Sequence, residues 1–193
     1  RIEEINLCLN KLGWQAVAVD GFLPPAVFME FQARKVLAIA LNIRSFEHML
    51  YTPAPDIIHE SAGHAPFLVD IDYAEFLQRF GELGMQAIAN DHDMAIYEAV
   101  RQLSIVKEDG NSSAADIASA EADVERLQNM KVAPSEANLL ARLHWWTVEY
   151  GLVGELTDYT IYGAGLLSSL SESQSCLDDR KVDKRALTLH ALN

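Results

Sequence analysis

The chain has 193 residues, half of them hydrophobic and 22% charged, with a mean hydropathy near zero, which suits one globular domain with its own core. Its net charge of −13 and the lack of any basic run exclude nucleic acid and anionic lipid as partners and leave a small ligand. Two distant cysteines, Cys8 and Cys176, fit a reducing, cytoplasmic setting. The longest apolar run, Val36 to Ile43, is too short for a bilayer.

The first helix is predicted over residues 2–12, where Ile5, Cys8, Leu9 and Leu12 share a face and Gly13 stops the run. Trp14 to Val19 reads as a short strand and Asp20-Gly21 as a turn. Pro24-Pro25 opens a helix carrying Phe28 and Phe31. Val36 to Ile43 fits a buried strand or a continued helix equally well. Further on, Asp72 with Glu75 is expected to cap a helix bearing Phe76, Phe80 and Leu83. Residues 94–107 and a stretch from Ser113, boxed by Asp116, to Met130 read as a helical hairpin occupying about 90–135. Pro134-Ser135 then starts a helix with an apolar stripe of Leu139, Leu143, Trp146 and Tyr150, ended by Gly151. The stripe places Glu149 at the edge of the core beside Trp145, where a carboxylate is costly unless paired or bound to metal. Tyr159 to Tyr162 looks extended. Gly163-Ala164-Gly165 allows a close backbone approach. The helical pattern is already under way at the first residue, so the chain is expected to be a single domain, 1–193, cut from a longer protein.

Chemistry concentrates in YTPAPDIIHESAGHAP, residues 51–66. Two imidazoles and one carboxylate that leave other positions open are the ligand set of mononuclear non-haem Fe(II) oxygenases. His59, His64 and Glu149 could supply it, although Glu149 by itself reads equally as a surface glutamate. A zinc hydrolase motif needs histidines four apart on a helix. Here they are five apart, about 500° of rotation, so Gly63 is expected to break the helix and bring His64 back round. Glu60 is then either a hydrolase base or a partner for a bound heterocycle. Arg44 offers a planar fork for a substrate carboxylate. Gly163-Ala164-Gly165 lacks the third glycine and the surrounding βαβ unit of a dinucleotide site.

YTPAPDIIHESAGHAPFL and WWTVEYGL with IYGAGLLSS resemble the two signature blocks of the pterin-dependent aromatic amino acid hydroxylases. The resemblance implies a mainly α catalytic domain with a few short strands. It implies Fe(2+) held by His59, His64 and Glu149, and a tetrahydropterin site at Gly21, Phe22, Leu23, Phe28 and Glu60. It further implies a substrate site at Arg44, Thr52, Pro53, Asp56, Trp145, Gly165, Ser168 and Ser169. The expected reaction is O2 activation at iron with two electrons from the pterin, oxygen being added to the ring of a free aromatic amino acid, phenylalanine first. Glu60 and Glu149 are the expected catalytic carboxylates. An aromatic wall of Trp145, Phe28 and Tyr150 would keep the site dry. His144 stands where the family carries a tyrosine, Pro24-Pro25 where it carries small polar residues, and the hairpin has no counterpart in its short forms. The rival readings are a zinc-dependent hydrolase and a non-catalytic relative that binds an aromatic amino acid.

Overall fold

Asn6 joins the first two elements: its side chain accepts from the Ala16 amide and donates to the Ala16 carbonyl, at 2.6 and 2.9 Å. That ties helix α1 (Ile2–Leu9) to strand β1 (Gln15–Val19). The structure is a computed structural model that describes residues 2–46, 50 and 55–192. The fold is mainly α with a few short strands, as expected.

Helix α2 (Pro25–Ala33) starts on a proline, where the missing amide costs nothing, and leads into strand β2 (Val36–Ala40). The ambiguous apolar run is therefore a strand. β2 pairs parallel with β1 from Gln15↔Val36 to Val19↔Ala40, and its first four residues are buried, as a covered parallel strand requires. Helix α3 (Ile71–Gly84) lies against α2. Its cap is Asp70, which accepts from the amides of Asp72 and Tyr73. The expected cap at Asp72 is thus displaced by two residues, because Asp70 carries the extended backbone that a cap needs.

The chain forms two compact units, residues 1–86 with 140–193, and residues 87–139. The second holds helices α4 (Asp91–Glu108) and α5 (Ala114–Gln128). Each opens on a reciprocal capping box, Asn90 with Asp93 and Ser113 with Asp116. Lys107 bridges to Glu121 at 2.8 Å across the hairpin.

Helix α6 (Glu136–His144) begins where Ser135 Oγ accepts from the Asn138 amide. An antiparallel hairpin of β3 (Leu152–Glu155) and β4 (Asp158–Ile161) follows, then the short helices α7 (Ala164–Ser168) and α8 (Leu170–Ser175). The core gathers Leu9, Trp14, Ala16, Leu37, Ile39, Leu68, Leu77 and Val148 around Tyr73. The site is built on the residues bordering Val148 and Tyr73.

Candidate metal centre

His59 to His64 form a single π turn, in which the Ala65 amide bonds back five residues to the Glu60 carbonyl. A helix with five-residue closure puts residues five apart on one face. The predicted break at Gly63 is therefore absent: widening the turn, rather than interrupting it, brings the imidazoles together. Trp145 to Glu149 form a second π turn, with the Tyr150 amide donating to the Trp145 carbonyl at 2.9 Å. That extra residue shifts the helical register and overturns the expected stripe. Val148 is 0% exposed, while Trp145 and Trp146 stand 55% and 54% exposed. Glu149 is therefore not at the edge of the core; it lies buried against the imidazoles.

His59 Nε2 and His64 Nε2 are 3.1 Å apart. Glu149 spans them, Oε1 at 3.2 Å from His64 and Oε2 at 3.4 Å from His59. One donor atom from each of the three lies within 4.8 Å of the others. Two ligands held about 2.1 Å from one ion, at right angles, stand about 3 Å apart, so the imidazole spacing suits adjacent positions on a divalent cation.

The far nitrogens are held as well. Ser168 Oγ meets His59 Nδ1 at 2.8 Å, and Tyr73 Oη meets His64 Nδ1 at 3.0 Å. Asp56 ties the first of these into a ring. Its Oδ1 accepts from the His59 amide at 2.9 Å and its two oxygens take Arg44 Nε and Nη2 at 2.9 and 2.7 Å, while Arg44 Nη1 donates to the Ser168 carbonyl at 2.6 Å. Three N–H groups of Arg44 are thus engaged within the chain, and its fork faces Asp56.

The charges respond to this packing. Burial pushes His64 down, but the Glu149 carboxylate outweighs it and raises the imidazole to about 9. Burial would raise Glu149, yet His64 and His59 bring it to about 2. His59 falls to about 4 through burial and the neighbouring His64. Burial lifts Glu60 to about 7 against the opposing pull of His64, with Glu149 and Asp56 adding to the rise. Burial would raise Asp56 too, but its bonds from Arg44 and the His59 amide hold it low.

Backbone proximity explains the glycines near 163. A Cβ on Gly163 would stand 2.5 Å from the Glu149 carbonyl carbon, and one on Gly63 would stand 2.9 Å from the Ala164 Cβ. These contacts dock α7 on both π turns at once.

Among the remaining predicted residues, Gly165 packs under Glu149 and Tyr150. Ser169 Oγ donates to the Leu50 carbonyl at 3.0 Å. Trp145 lies on the Tyr150 ring at 4.6 Å. Gly21, Phe22 and Leu23 form the approach to α2, whose Phe28 meets the buried His144 edge-on at 6.0 Å. Thr52 and Pro53 lie outside the described residues. Tyr73 joins the centre without any motif of its own, because its place on a helical face with Leu77 and Phe80 reads as core.

A mainly helical scaffold carrying two imidazoles and a carboxylate on paired π turns defines a candidate mononuclear metal centre. A family model described as "Biopterin-dependent aromatic amino acid hydroxylase" matches residues 1–119 and 113–191, and the chain belongs to that family. It is 30% identical over 188 residues to the phenylalanine-4-hydroxylase of Chromobacterium violaceum, covering 95% of this chain and 48% of that protein. It is 32% identical over 176 residues to that of Caulobacter vibrioides, covering 91% and 45%. The solved Chromobacterium violaceum phenylalanine hydroxylase with bound iron(III) and 7,8-dihydrobiopterin superposes with a TM-score of 0.64 at 29% identity, covering 92% of this chain and 49% of that one. The apo enzyme of Colwellia psychrerythraea shares the fold, with a TM-score of 0.68 at 24% identity, over 99% and 57%. The chain thus spans about half the length of the curated relatives it matches. The zinc-hydrolase reading is not favoured. Among the described residues no helix is long and apolar enough to cross a membrane.

Proposed function

We propose that this chain binds one Fe(2+) through His59, His64 and Glu149 and takes part in the ring hydroxylation of a free aromatic amino acid, phenylalanine first, with a tetrahydropterin and O2. The observation that carries the reading is the cluster of three donors, within 4.8 Å of one another, in a member of a biopterin-dependent family. The donors fit the ion: two neutral-capable imidazoles and one carboxylate suit borderline iron and leave further positions for other ligands. When bound, the iron with the reduced pterin would supply oxygen activation.

The chain's own residues do the rest. Ser168 orients the His59 imidazole from behind. Asp56 holds the His59 backbone and aligns Arg44, which we assign to the substrate carboxylate at the same corner of the site. Glu60, raised to about 7, can hold or release a proton near neutrality and so meet either an N–H or a carbonyl of a pterin ring. Phe28, Gly21, Phe22 and Leu23 are assigned to the pterin, and Trp145, Gly165, Ser168 and Ser169, with Thr52 and Pro53, to the amino acid. The test is anaerobic loading with Fe(II), followed by product analysis with each aromatic amino acid, a reduced pterin and O2. Tyrosine formed from phenylalanine supports the proposal. Amino acid binding without pterin oxidation would mark a non-catalytic relative and contradict it.

A further inference from the structure

Tyr73 stands behind the His64 imidazole. It sits in the first turn of α3, its amide held by the Asp70 cap at 3.1 Å, and it is only 2% exposed. Its ring meets Tyr162 and Phe67, each at 5.6 Å between centroids. A phenylalanine would supply that packing equally well. The hydroxyl, however, must find a partner once buried, and it meets His64 Nδ1 at 3.0 Å. An imidazole can bind a metal through Nε2 only if its lone pair is there, which leaves the proton on Nδ1. A hydroxyl oxygen at Nδ1 accepts that proton's hydrogen bond and fixes both tautomer and ring angle. Ser168 plays the matching part behind His59, so each imidazole is gripped at its far nitrogen by a hydroxyl from another element, α3 for one and α7 for the other.

We infer that Tyr73 is a positioning residue of the metal centre, acting through His64 and touching neither the metal nor the substrate. The inference rests on the metal-centre reading above. It is tested with Tyr73→Phe, which removes one oxygen and keeps the ring, by titrating the full metal-free chain with Co(II) and following the visible absorption. The expected result is one Co(II) per chain in both proteins, with affinity about 10- to 100-fold weaker in the variant while circular dichroism and the aromatic packing signals stay the same. An affinity within about twofold of the unaltered chain overturns the role of Tyr73. Failure of the unaltered chain to bind Co(II) overturns the metal-centre reading itself and the inference with it. A second measurement needs no variant. In the Zn(II)-loaded, nitrogen-15-labelled chain, the His64 Nδ1 proton should appear as a downfield resonance slow to exchange with water; a rapidly exchanging or missing proton overturns the inference.

Discussion

Replacing Gly163 with alanine should damage the metal centre without touching any of its donor atoms. Gly163 has φ −70° and ψ 136°, so alanine meets no dihedral penalty there and only space opposes it. The new Cβ would stand 2.5 Å from the Glu149 carbonyl carbon and 2.6 Å from the Tyr150 nitrogen, and closer still to the Glu149 carbonyl oxygen. Carbon contacts settle near 3.5 Å, so the backbone must open by about 1 Å. All three obstructing atoms are backbone, so no side chain can swing aside. With Val148 fully buried alongside, Glu149 cannot retreat without disturbing the core. A metal site tolerates about 0.2 Å in ligand position, several times less than this displacement. The variant should therefore lose at least tenfold in metal affinity and about 1–3 kcal/mol in stability, the usual cost of overpacking. Co(II) titration and urea unfolding read the two effects separately. Unchanged affinity with an unchanged unfolding midpoint would refute the reasoning.

Three further outcomes follow from the geometry. Asp56→Ala leaves the buried Arg44 without its counter-charge and should cost about 3–5 kcal/mol in urea unfolding, whereas Asp56→Asn, which keeps the shape, should cost less; equal, small losses would remove Asp56 from its place at the centre of the network. In the metal-free chain, Glu149 is depressed to about 2 from 4.5, so the stability it provides is whole above pH 4.5 and fades as pH falls toward 2. His64 is raised to about 9 from 6.5, so its share is whole below pH 6.5 and is lost as pH rises through 9, which thermal unfolding across that range would register. Because a metal must displace the His64 proton, apparent Co(II) affinity should climb about tenfold per pH unit between about pH 7 and 9, and a flat profile would show that His64 carries no such proton.

Much of the centre was legible because its signals are local. Histidines set among Pro55, Gly63 and Pro66 are unusual, and the run from Trp145 to Gly151 marks a helix end by its own pattern. What could not be read was the π turn. A five-residue closure has no propensity signature, so the His59–His64 spacing reads as a break and the apolar stripe as running through Trp146 instead of Val148. The Asp70 cap lies two residues from another acid and is decided by backbone angles that composition does not set. Tyr73 falls on a helical face with Leu77 and Phe80, so periodicity hid its hydroxyl within the core. Ser168 bonds to His59 across 109 residues, a distance at which only a resemblance, and no pattern, could pair them.

Equilibrium titration of the metal-free chain with Fe(II) under strictly anaerobic conditions tests the central claim most directly, run in parallel on His59→Ala, His64→Ala and Glu149→Ala. One ion per chain, with tight binding lost in all three variants, is the predicted result. Binding of one ion at unchanged affinity after any one of those substitutions would contradict the account.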